Sequence, residues 1–172
     1  SSNIKTIQSL SKICIKTFKK NKISTVIKHI PGHGLTKLDS HKKLPVVNQS
    51  LNFLMKNDFK CFRNSNSHFA MTAHILYKKI DPKDCATHSK KIIKKIIRKK
   101  IGFKGIIISD DIGMKALRYG LVENAIKSLN AGCNLTLYCQ GRSRESLKLL
   151  KKIPPIDEFT KKKTSQFYKF LG

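Results

Sequence analysis

Short apolar runs rich in β-branched residues alternate with helix-like segments along most of the chain. The runs cover residues 24–29, 68–77, 103–111 and 134–139, and helical spacing of apolar residues marks segments 5–20, 47–57, 81–100, 120–131 and 143–152. Parallel strands need a crossover connection of a dozen or more residues, usually a helix, and this alternation supplies such connections. The sequence therefore predicts an α/β fold with a parallel sheet of about four strands and crossover helices.

The run at 103–111 and the segment before it carry the clearest signals. The run reads FKGIIISDD, and a strand so continuously apolar is typical of one that is buried on both faces. The preceding segment places an apolar stripe on an otherwise basic helix, formed by Ile92, Ile93, Ile96 and Ile97. We expect Gly102 to end this helix.

Length and charge limit the classes of protein that the chain can belong to. Its 172 residues, 40% of them hydrophobic, suit one globular domain with its own core. The formal net charge of +26 suits a polyanion such as nucleic acid or an anionic membrane. The basic residues are nearly all lysines spread along the whole chain, however, whereas base readout relies mainly on arginine. We therefore interpret the charge as a solvated surface, and expect neither a membrane nor nucleic acid as the partner.

The cysteines and the start of the chain bear on the compartment. Five scattered cysteines form no C-x-x-C pair, which indicates reduced thiols and a cytoplasmic location: Cys14, Cys61, Cys85, Cys133 and Cys139. No apolar run approaches the length of about 20 residues that spans a bilayer. The chain begins SSNIKT, without Met or a signal-peptide pattern, so we expect a piece of a longer chain or a trimmed one.

Titratable residues follow three of the four predicted strands. The ends of three apolar runs carry such residues: Lys28-His29, His74 and Asp110-Asp111. Because the carboxyl ends of parallel strands meet at one edge of the sheet, these groups should converge there. That convergence predicts an active site.

The two aspartates at the end of the third run have alternative roles. A carboxylate directly after IIIS could act as a nucleophile, a general base or a metal ligand, and Asp110 is the better candidate. Asp111 could instead cap a helix that starts near Met114. The strand end alone does not decide between these roles.

The loop KHIPGHGLTKLDSH combines three histidines with one proline, two glycines and an aspartate. Asp39 could orient His41 and stabilise its protonated form, which would suit an acid/base that both gives and takes a proton near neutral pH. Zinc binding by His29 and His33 would need a helix, which Pro31-Gly32 forbids. A phosphate-binding loop would need more glycines and a following Lys-Ser or Lys-Thr. An acid/base loop, a solvated loop and, less well, a metal site remain as alternatives.

Three stretches together resemble one family: KHIPGHGLTKLDSHKKLPVV, MTAHILYKKIDPKDCATHS and GFKGIIISDDIGMKAL. Their order and internal spacing are similar to those of the bacterial β-N-acetylglucosaminidases of glycoside hydrolase family three, over about residues 20–140. The resemblance implies a (β/α)8 barrel and retaining hydrolysis of terminal β-linked N-acetylglucosamine. In cytoplasmic members the substrate is a cell-wall muropeptide in peptidoglycan recycling.

The resemblance also implies roles for individual residues. Asp110 matches the catalytic nucleophile, His41 the acid/base and Asp39 its partner, while the sugar-binding positions are matched by Lys28 and His29. His33 lies in the same loop, and we interpret its role as shaping that loop. No metal or organic cofactor is implied.

A complete barrel takes about 250 residues and eight strands, so this chain resembles only the C-terminal half. We expect residues 1–154 to form that half of the catalytic domain and residues 155–172 to form a loosely packed basic tail. The N-terminal half could be a separate piece, or a second copy could complete the barrel. Alternatives are a phosphorylase-like activity, or an inactive barrel fragment acting as a basic nucleic-acid-binding or scaffold protein. Asn134 stands where the family often has Asp.

Overall fold

A parallel sheet of four strands organises the molecule, whose computed structural model describes residues 1–36 and 43–172. In the order in which they lie, the strands are β1 (Val26–Ile30), β3 (Phe69–Thr72), β5 (Ile106–Asp111) and β6 (Leu135–Leu137). All three pairings are parallel. A separate parallel pair consists of β2 (Val46–Val47) and β4 (Leu76–Tyr77). The predicted α/β fold with a parallel sheet is confirmed.

The register of the sheet brings the carboxyl ends of the strands to one edge. Ile30 of β1 is opposite Thr72 of β3, and Asp111 of β5 is opposite Leu137 of β6. The polar residues that follow these strands therefore start from neighbouring backbone positions.

Helices connect the strands. α1 (Ile4–Lys20) precedes β1, and the helix Lys91–Ile101, here called the isoleucine helix, precedes β5. The others are α2 (Leu51–Lys56), a 3₁₀ helix (Asp58–Phe62), α3 (Leu121–Ala131), α4 (Ser143–Lys152) and α5 (Glu158–Leu171). Within the described ranges, no helix has both the length and the apolar character that a bilayer crossing requires.

The isoleucine helix supplies much of the core. It has π-type hydrogen bonding, and all five isoleucines are 0–4% exposed: Ile92, Ile93, Ile96, Ile97 and Ile101. Burying each such side chain stabilises the fold by about 1.5–3 kcal/mol. The helix ends at Gly102, whose φ of +82° lies in the left-handed region that favours glycine. Both the predicted stripe and its end are confirmed.

The helix predicted at 47–57 is shorter than expected. Residues 46–47 pair with β4 as strand β2, and α2 begins only at Leu51. Ser50 sets this start, because its hydroxyl accepts a hydrogen bond from the N–H of Phe53 at 3.2 Å.

The strand predicted at 68–77 is divided in two. β3 ends at Thr72 and β4 begins at Leu76. Between them His74 is buried, and its ring nitrogens contact the hydroxyl of Thr87 and the carbonyl of Asp111. The chain therefore stops pairing with the main sheet at the point where His74 makes these polar contacts.

α5 packs across the amino ends of the strands. Thr160 is 1% exposed and accepts a hydrogen bond from Asn134 Nδ2 at 2.9 Å. The ring of Phe167 lies 5.0 Å from that of Phe69 and 5.6 Å from that of His68. Thr160 is the buried residue of this helix and Phe167 is partly exposed, so α5 contacts the sheet at a few positions and the loosely packed tail stays a prediction. The division of the chain into a barrel portion and a tail stays a prediction.

Asn134 lies at the edge of the sheet opposite the carboxyl ends. Its Oδ1 accepts hydrogen bonds from Arg98 Nη2 at 2.7 Å and from the N–H of Ile107 at 2.9 Å. Its Nδ2 donates to Thr160, which an aspartate in its place could not do. The amide therefore links β5, β6 and α5.

His88 is a buried imidazole that the fold keeps neutral. The residue is 8% exposed, and its ring lies 6.1 Å from that of Tyr119. Burial lowers the pKa of His88 to about 4, and His74, Lys127 and Arg118 act in the same direction. An unfolded histidine titrates near pH 6.5, so the unfolded chain takes up a proton that the folded chain refuses. The stabilising contribution is complete above about pH 6.5 and is lost as the pH falls towards about 4.

We expect the substitution His88→Gln to flatten the acid side of the stability profile. Between about pH 6.5 and about pH 4, the free energy of unfolding should fall by up to about 3 kcal/mol less than in the unsubstituted chain. Urea unfolding at a series of pH values measures this difference. His68→Gln is the control: because that imidazole is more exposed, it should flatten the profile less. Parallel profiles for His88→Gln and the unsubstituted chain would contradict the neutral buried imidazole.

Candidate active site

The side chain of Asp110 lies at the carboxyl end of β5, where the sheet places it beside β1 and β3. Its Oδ1 accepts a hydrogen bond from the N–H of Asp111 at 2.8 Å, which fixes one side of the carboxylate. Its Oδ2 is 3.7 Å from His29 Nε2, and the side chain is 15% exposed. One carboxylate oxygen is thus held by the backbone while the other faces the open edge.

His29 stands opposite this carboxylate on β1 and is half-buried. Burial lowers the pKa of His29, and Lys28, His33 and His74 act in the same direction, whereas the carboxylate of Asp110 opposes them. At neutral pH the ring is therefore mainly neutral and can donate or accept a hydrogen bond. A neutral donor beside a carboxylate suits the binding of an uncharged polar ligand such as a sugar hydroxyl.

Asp111 has a different environment from Asp110. Its Oδ1 accepts hydrogen bonds from the N–H of Gly113 at 3.0 Å and from the N–H of Cys139 at 3.1 Å. The carboxylate therefore ties the end of β5 to the chain that follows β6. The helix expected near Met114 does not form: residues 112–116 make turns, which Asp111 holds instead.

His74 lies behind Asp110 and is fully buried. Its Nδ1 is 2.7 Å from Thr87 Oγ1, and its Nε2 is 3.0 Å from the carbonyl oxygen of Asp111. Thr87 Oγ1 is also 2.9 Å from Thr72 Oγ1, which accepts a hydrogen bond from the N–H of Asp110 at 3.2 Å. All three side chains are 0% exposed, so they form a buried polar network directly beneath the strand end.

Asp58 holds the base of the histidine-rich loop. Its carboxylate packs against Gly32, and its Oδ1 is 3.4 Å from the N–H of Gly34. Burial raises the pKa of Asp58, while the hydrogen bond from Gly34 and the nearby His33 act against that rise. The hydroxyl of Tyr77 donates to the carbonyl of Gly32 from the other side. The glycines are therefore needed because the carboxylate occupies the space of a side chain.

His33 joins this loop base to His29. Its ring lies 5.6 Å from that of His29, and its Nδ1 is 2.8 Å from Thr36 Oγ1. The peptide bonds Lys28–His29 and Ile30–Pro31 are both cis. The loop-shaping role of His33 stays a prediction.

The structure brings some of the predicted site residues together. Asp110, His29 and His33 form one cluster, and Lys28 is exposed next to His29 on β1. The predicted acid/base pair, Asp39 and His41, lies outside the described residues. Among residues 1–36 and 43–172, no three His, Cys, Asp or Glu side chains are arranged to hold a metal ion.

Sequence reasoning missed Thr72, Thr87, Asp58 and Tyr77. His74 was recognised as a strand-end residue but was given no role. The threonines carry no local signal, because each hydroxyl meets its partners only through the packing of distant segments. The position of Asp58 could have been sought from Gly32 and Gly34, since paired glycines often mark a close approach.

Comparisons with known proteins place this geometry in a family. Residues 1–163 match the Glycosyl hydrolase family 3 N terminal domain. The Beta-hexosaminidase of Methylobacillus flagellatus is 33% identical over 138 residues, which cover 77% of this chain and 39% of that protein. The Beta-hexosaminidase of Haemophilus influenzae (strain ATCC 51907) is 35% identical over 148 residues, covering 83% of this chain and 42% of that protein. The chain thus spans about two-fifths of the length of these curated relatives.

Solved structures agree. Native NagZ from Neisseria gonorrhoeae superposes with a TM-score of 0.76 and 31% identity, over 91% of this chain and 45% of that one. A glycoside hydrolase family 3 beta-N-acetylglucosaminidase from Paenibacillus sp. superposes with a TM-score of 0.78 and 28% identity, over 91% of this chain and 32% of that one. The predicted fold class, half of a (β/α)8 barrel with four parallel strands, is confirmed.

We expect Gly32→Ala to destabilise the fold through Asp58. An added Cβ would overlap the carboxylate of Asp58, and overpacking of this kind usually lowers the free energy of unfolding by about 1–3 kcal/mol. Gly120→Ala is the matched control, because nothing lies within 4 Å of its added Cβ. It should lower the free energy by less than about 1 kcal/mol. Urea unfolding at neutral pH measures both.

A double substitution identifies the cause of the loss. If the carboxylate is the obstacle, Gly32→Ala combined with Asp58→Ala should lose clearly less stability than the sum of the two single losses. Strictly additive losses would mean that Gly32 is needed for another reason.

Proposed function

The chain belongs to glycosyl hydrolase family 3, and on that premise we propose that it supplies the C-terminal half of the catalytic barrel of a retaining glycoside hydrolase. The proposed reaction removes a terminal β-linked N-acetylglucosamine. The observation that carries the proposal is the Asp110 carboxylate, which faces His29 at 3.7 Å at the carboxyl end of a parallel sheet. Relatives named Beta-hexosaminidase support the substrate class.

Asp110 is the proposed nucleophile. In a retaining enzyme, a carboxylate attacks the anomeric carbon, expels the leaving oxygen and forms a covalent glycosyl-enzyme, which water then hydrolyses. The hydrogen bond from the N–H of Asp111 to Oδ1 leaves Oδ2 facing the open edge. Asp111 is the weaker candidate: its Oδ1 accepts from the N–H groups of Gly113 and Cys139, whereas it is Asp110 whose Oδ2 lies 3.7 Å from His29 Nε2.

His41 is the proposed acid/base, with Asp39 as the carboxylate that orients it. The proposal rests on the match of the DSH sequence to the family pattern. An imidazole near neutral pH can protonate the leaving oxygen and later remove a proton from water. The protonated ring becomes neutral when it gives up its proton, so it leaves no second negative charge beside the departing oxygen. The loop base formed by Gly32, Gly34 and Asp58 gives this segment a fixed starting point.

Lys28 and His29 are the proposed sugar-binding residues. The lowered pKa of His29 supports a neutral ring that hydrogen bonds sugar hydroxyls, while Lys28 supplies an ammonium donor on the same strand. Both come from the end of β1, and His29 Nε2 lies 3.7 Å from the carboxylate of the proposed nucleophile.

A separate N-terminal half is the proposed partner that completes the barrel. In the described ranges, β1 and β6 each pair with a single strand of the main sheet, and Val26 on β1 is 44% exposed. A parallel sheet with open edges is rarely left uncovered. A second copy is the weaker candidate, because two chains with a formal charge of +26 each would repel one another.

The proposed substrate is a cell-wall muropeptide and the proposed compartment is the cytoplasm. The carboxylates of a peptide stem would be attracted by the positive charge of the chain. The cysteines in the described structure are all free thiols, which suits a reducing compartment.

A second candidate function is an inactive fragment that binds nucleic acid through its basic surface. The observation in its favour is a hollow on α1 lined by Lys12, Lys16, Lys19 and Lys20, with Asn64 and Asn66 opposite. Functional binding would survive moderate salt, whereas diffuse attraction by lysines would weaken steeply with salt. A phosphorylase-like activity is a variant of the main proposal, and comparing turnover with and without phosphate separates the two.

We expect Asp110→Asn to abolish turnover of a chromogenic β-N-acetylglucosaminide. The assay uses this chain together with an N-terminal half from a relative, because the chain alone lacks half of the barrel. Removing the nucleophile should lower kcat by on the order of 10⁴-fold or more. Asp111→Asn is the matched control: its amide oxygen still accepts from Gly113 and Cys139, so kcat should fall by less than about tenfold.

Two outcomes would count against the proposal. Equal loss in both variants would mean that Asp110 has no special role. No turnover in any combination, together with binding of DNA that survives moderate salt, would favour the binding function instead.

A further inference from the structure

The buried network behind Asp110 has a defined direction. The carbonyl of Asp111 can only accept, so His74 Nε2 must carry a proton and donate it at 3.0 Å. In the neutral ring, Nδ1 then accepts from the hydroxyl of Thr87 at 2.7 Å. Thr87 in turn accepts from Thr72 at 2.9 Å, and Thr72 accepts from the N–H of Asp110 at 3.2 Å.

These hydrogen bonds form a circuit that starts and finishes at the carboxyl end of β5. It leaves β5 at the N–H of Asp110 and passes through Thr72, Thr87 and His74. It returns to β5 at the carbonyl of Asp111. The hydroxyl of Thr87 also lies 3.2 Å from the carbonyl oxygen of Ala73, which is farther than its 2.7 Å to His74 Nδ1. The peptide units on both sides of the aspartate pair are therefore contacted by side chains from other segments.

The network has no direct access to a ligand. His74, Thr72 and Thr87 are all 0% exposed, and both nitrogens of His74 are occupied. A role in contacting the sugar is therefore excluded by geometry. A purely packing role would not require a histidine, because burying an imidazole is favourable only when its polar atoms are bonded.

We propose that His74, with Thr72 and Thr87, is a positioning unit that sets the orientation of the Asp110 carboxylate. The unit holds the two peptide groups that flank the aspartate pair, and Asp110 Oδ1 is bound to the N–H between them. It therefore determines where Oδ2 points relative to His29. This inference rests on the proposed function, since it assigns a purpose to the orientation of the proposed nucleophile.

The charges around His74 are compatible with a neutral ring. Asp110 and Asp111 favour its protonated form, whereas burial opposes that form more strongly and lowers the pKa of His74. The neighbouring imidazoles of His29 and His88 also have lowered pKa values. A neutral ring with a single proton is what the circuit needs, because a second proton on Nδ1 would reverse the bond to Thr87.

The first test examines the hydrogen bonds of the circuit in the chain alone, without an N-terminal half. Long-range ¹H–¹⁵N spectra of the imidazoles should show His74 protonated at Nε2 and not at Nδ1 at neutral pH. In Thr72→Val, hydrogen exchange at the amides of Asp110 and Asp111 should accelerate by about tenfold or more relative to the rest of β5. Thr72→Ser keeps the hydroxyl and should restore most of the protection.

Thr160→Val is the matched control for losing a buried threonine hydroxyl. Thr160 is 1% exposed and bonded to Asn134 at the opposite edge of the sheet. Its substitution should leave the relative protection of Asp110 and Asp111 unchanged. Exchange that accelerates equally in both valine variants, or a His74 protonated at Nδ1, would overturn the positioning unit.

The second test uses the barrel completed with an N-terminal half. Thr72→Val and Thr87→Val should each lower kcat by about 10- to 100-fold with little change in KM, and the serine variants should recover most of it. Unchanged kcat in both valine variants, in a preparation where Asp110→Asn is inactive, would overturn the inference but leave the proposed function standing. A preparation inactive in every form, with the local exchange effect present, would instead count against the proposed function.

Discussion

The parallel pairing of β5 between β3 and β6 is the constraint on which the rest of the structure depends. Its register carries Asp110 to the edge where β1 delivers Lys28 and His29. Apolar residues of β5 are buried within the sheet. The polar groups that follow them lie at the carboxyl end of the strand, close to the polar groups at the ends of the neighbouring strands. Most contacts of the candidate site are consequences of this placement.

Backbone groups, more than charges, define the two aspartates. Asp111 Oδ1 accepts from the N–H groups of Gly113 and Cys139, whereas Asp110 Oδ1 accepts from one N–H and its Oδ2 lies 3.7 Å from His29 Nε2. The difference follows from position, since only the second aspartate reaches the chain beyond β6. Two identical side chains at consecutive positions thereby obtain different chemistry.

Burial lowers the pKa of three imidazoles in this strongly basic chain, two at the candidate site and one in the core. His29, His74 and His88 all have lowered pKa values, and desolvation is the main cause for each. The neutral rings can each donate one proton and accept another, which allows directed hydrogen-bond networks. At the loop base, two glycines leave room for the carboxylate of Asp58 to pack against the backbone.

The sequence by itself determined the strand–helix alternation, the buried isoleucine stripe, the end of that helix at Gly102, and the strand-end position of Asp110. These features are local, because periodicity, glycine and the end of an apolar run act over a few residues. It also pointed to Asp39 and His41, which stay predictions. The tertiary structure alone decided that Thr72, Thr87 and His74 form a circuit, that Asp58 supports the loop, and that the last helix packs under the sheet. Those contacts join residues far apart in the chain, and they exist only because the sheet register and the burial of the isoleucine helix bring their backbones together.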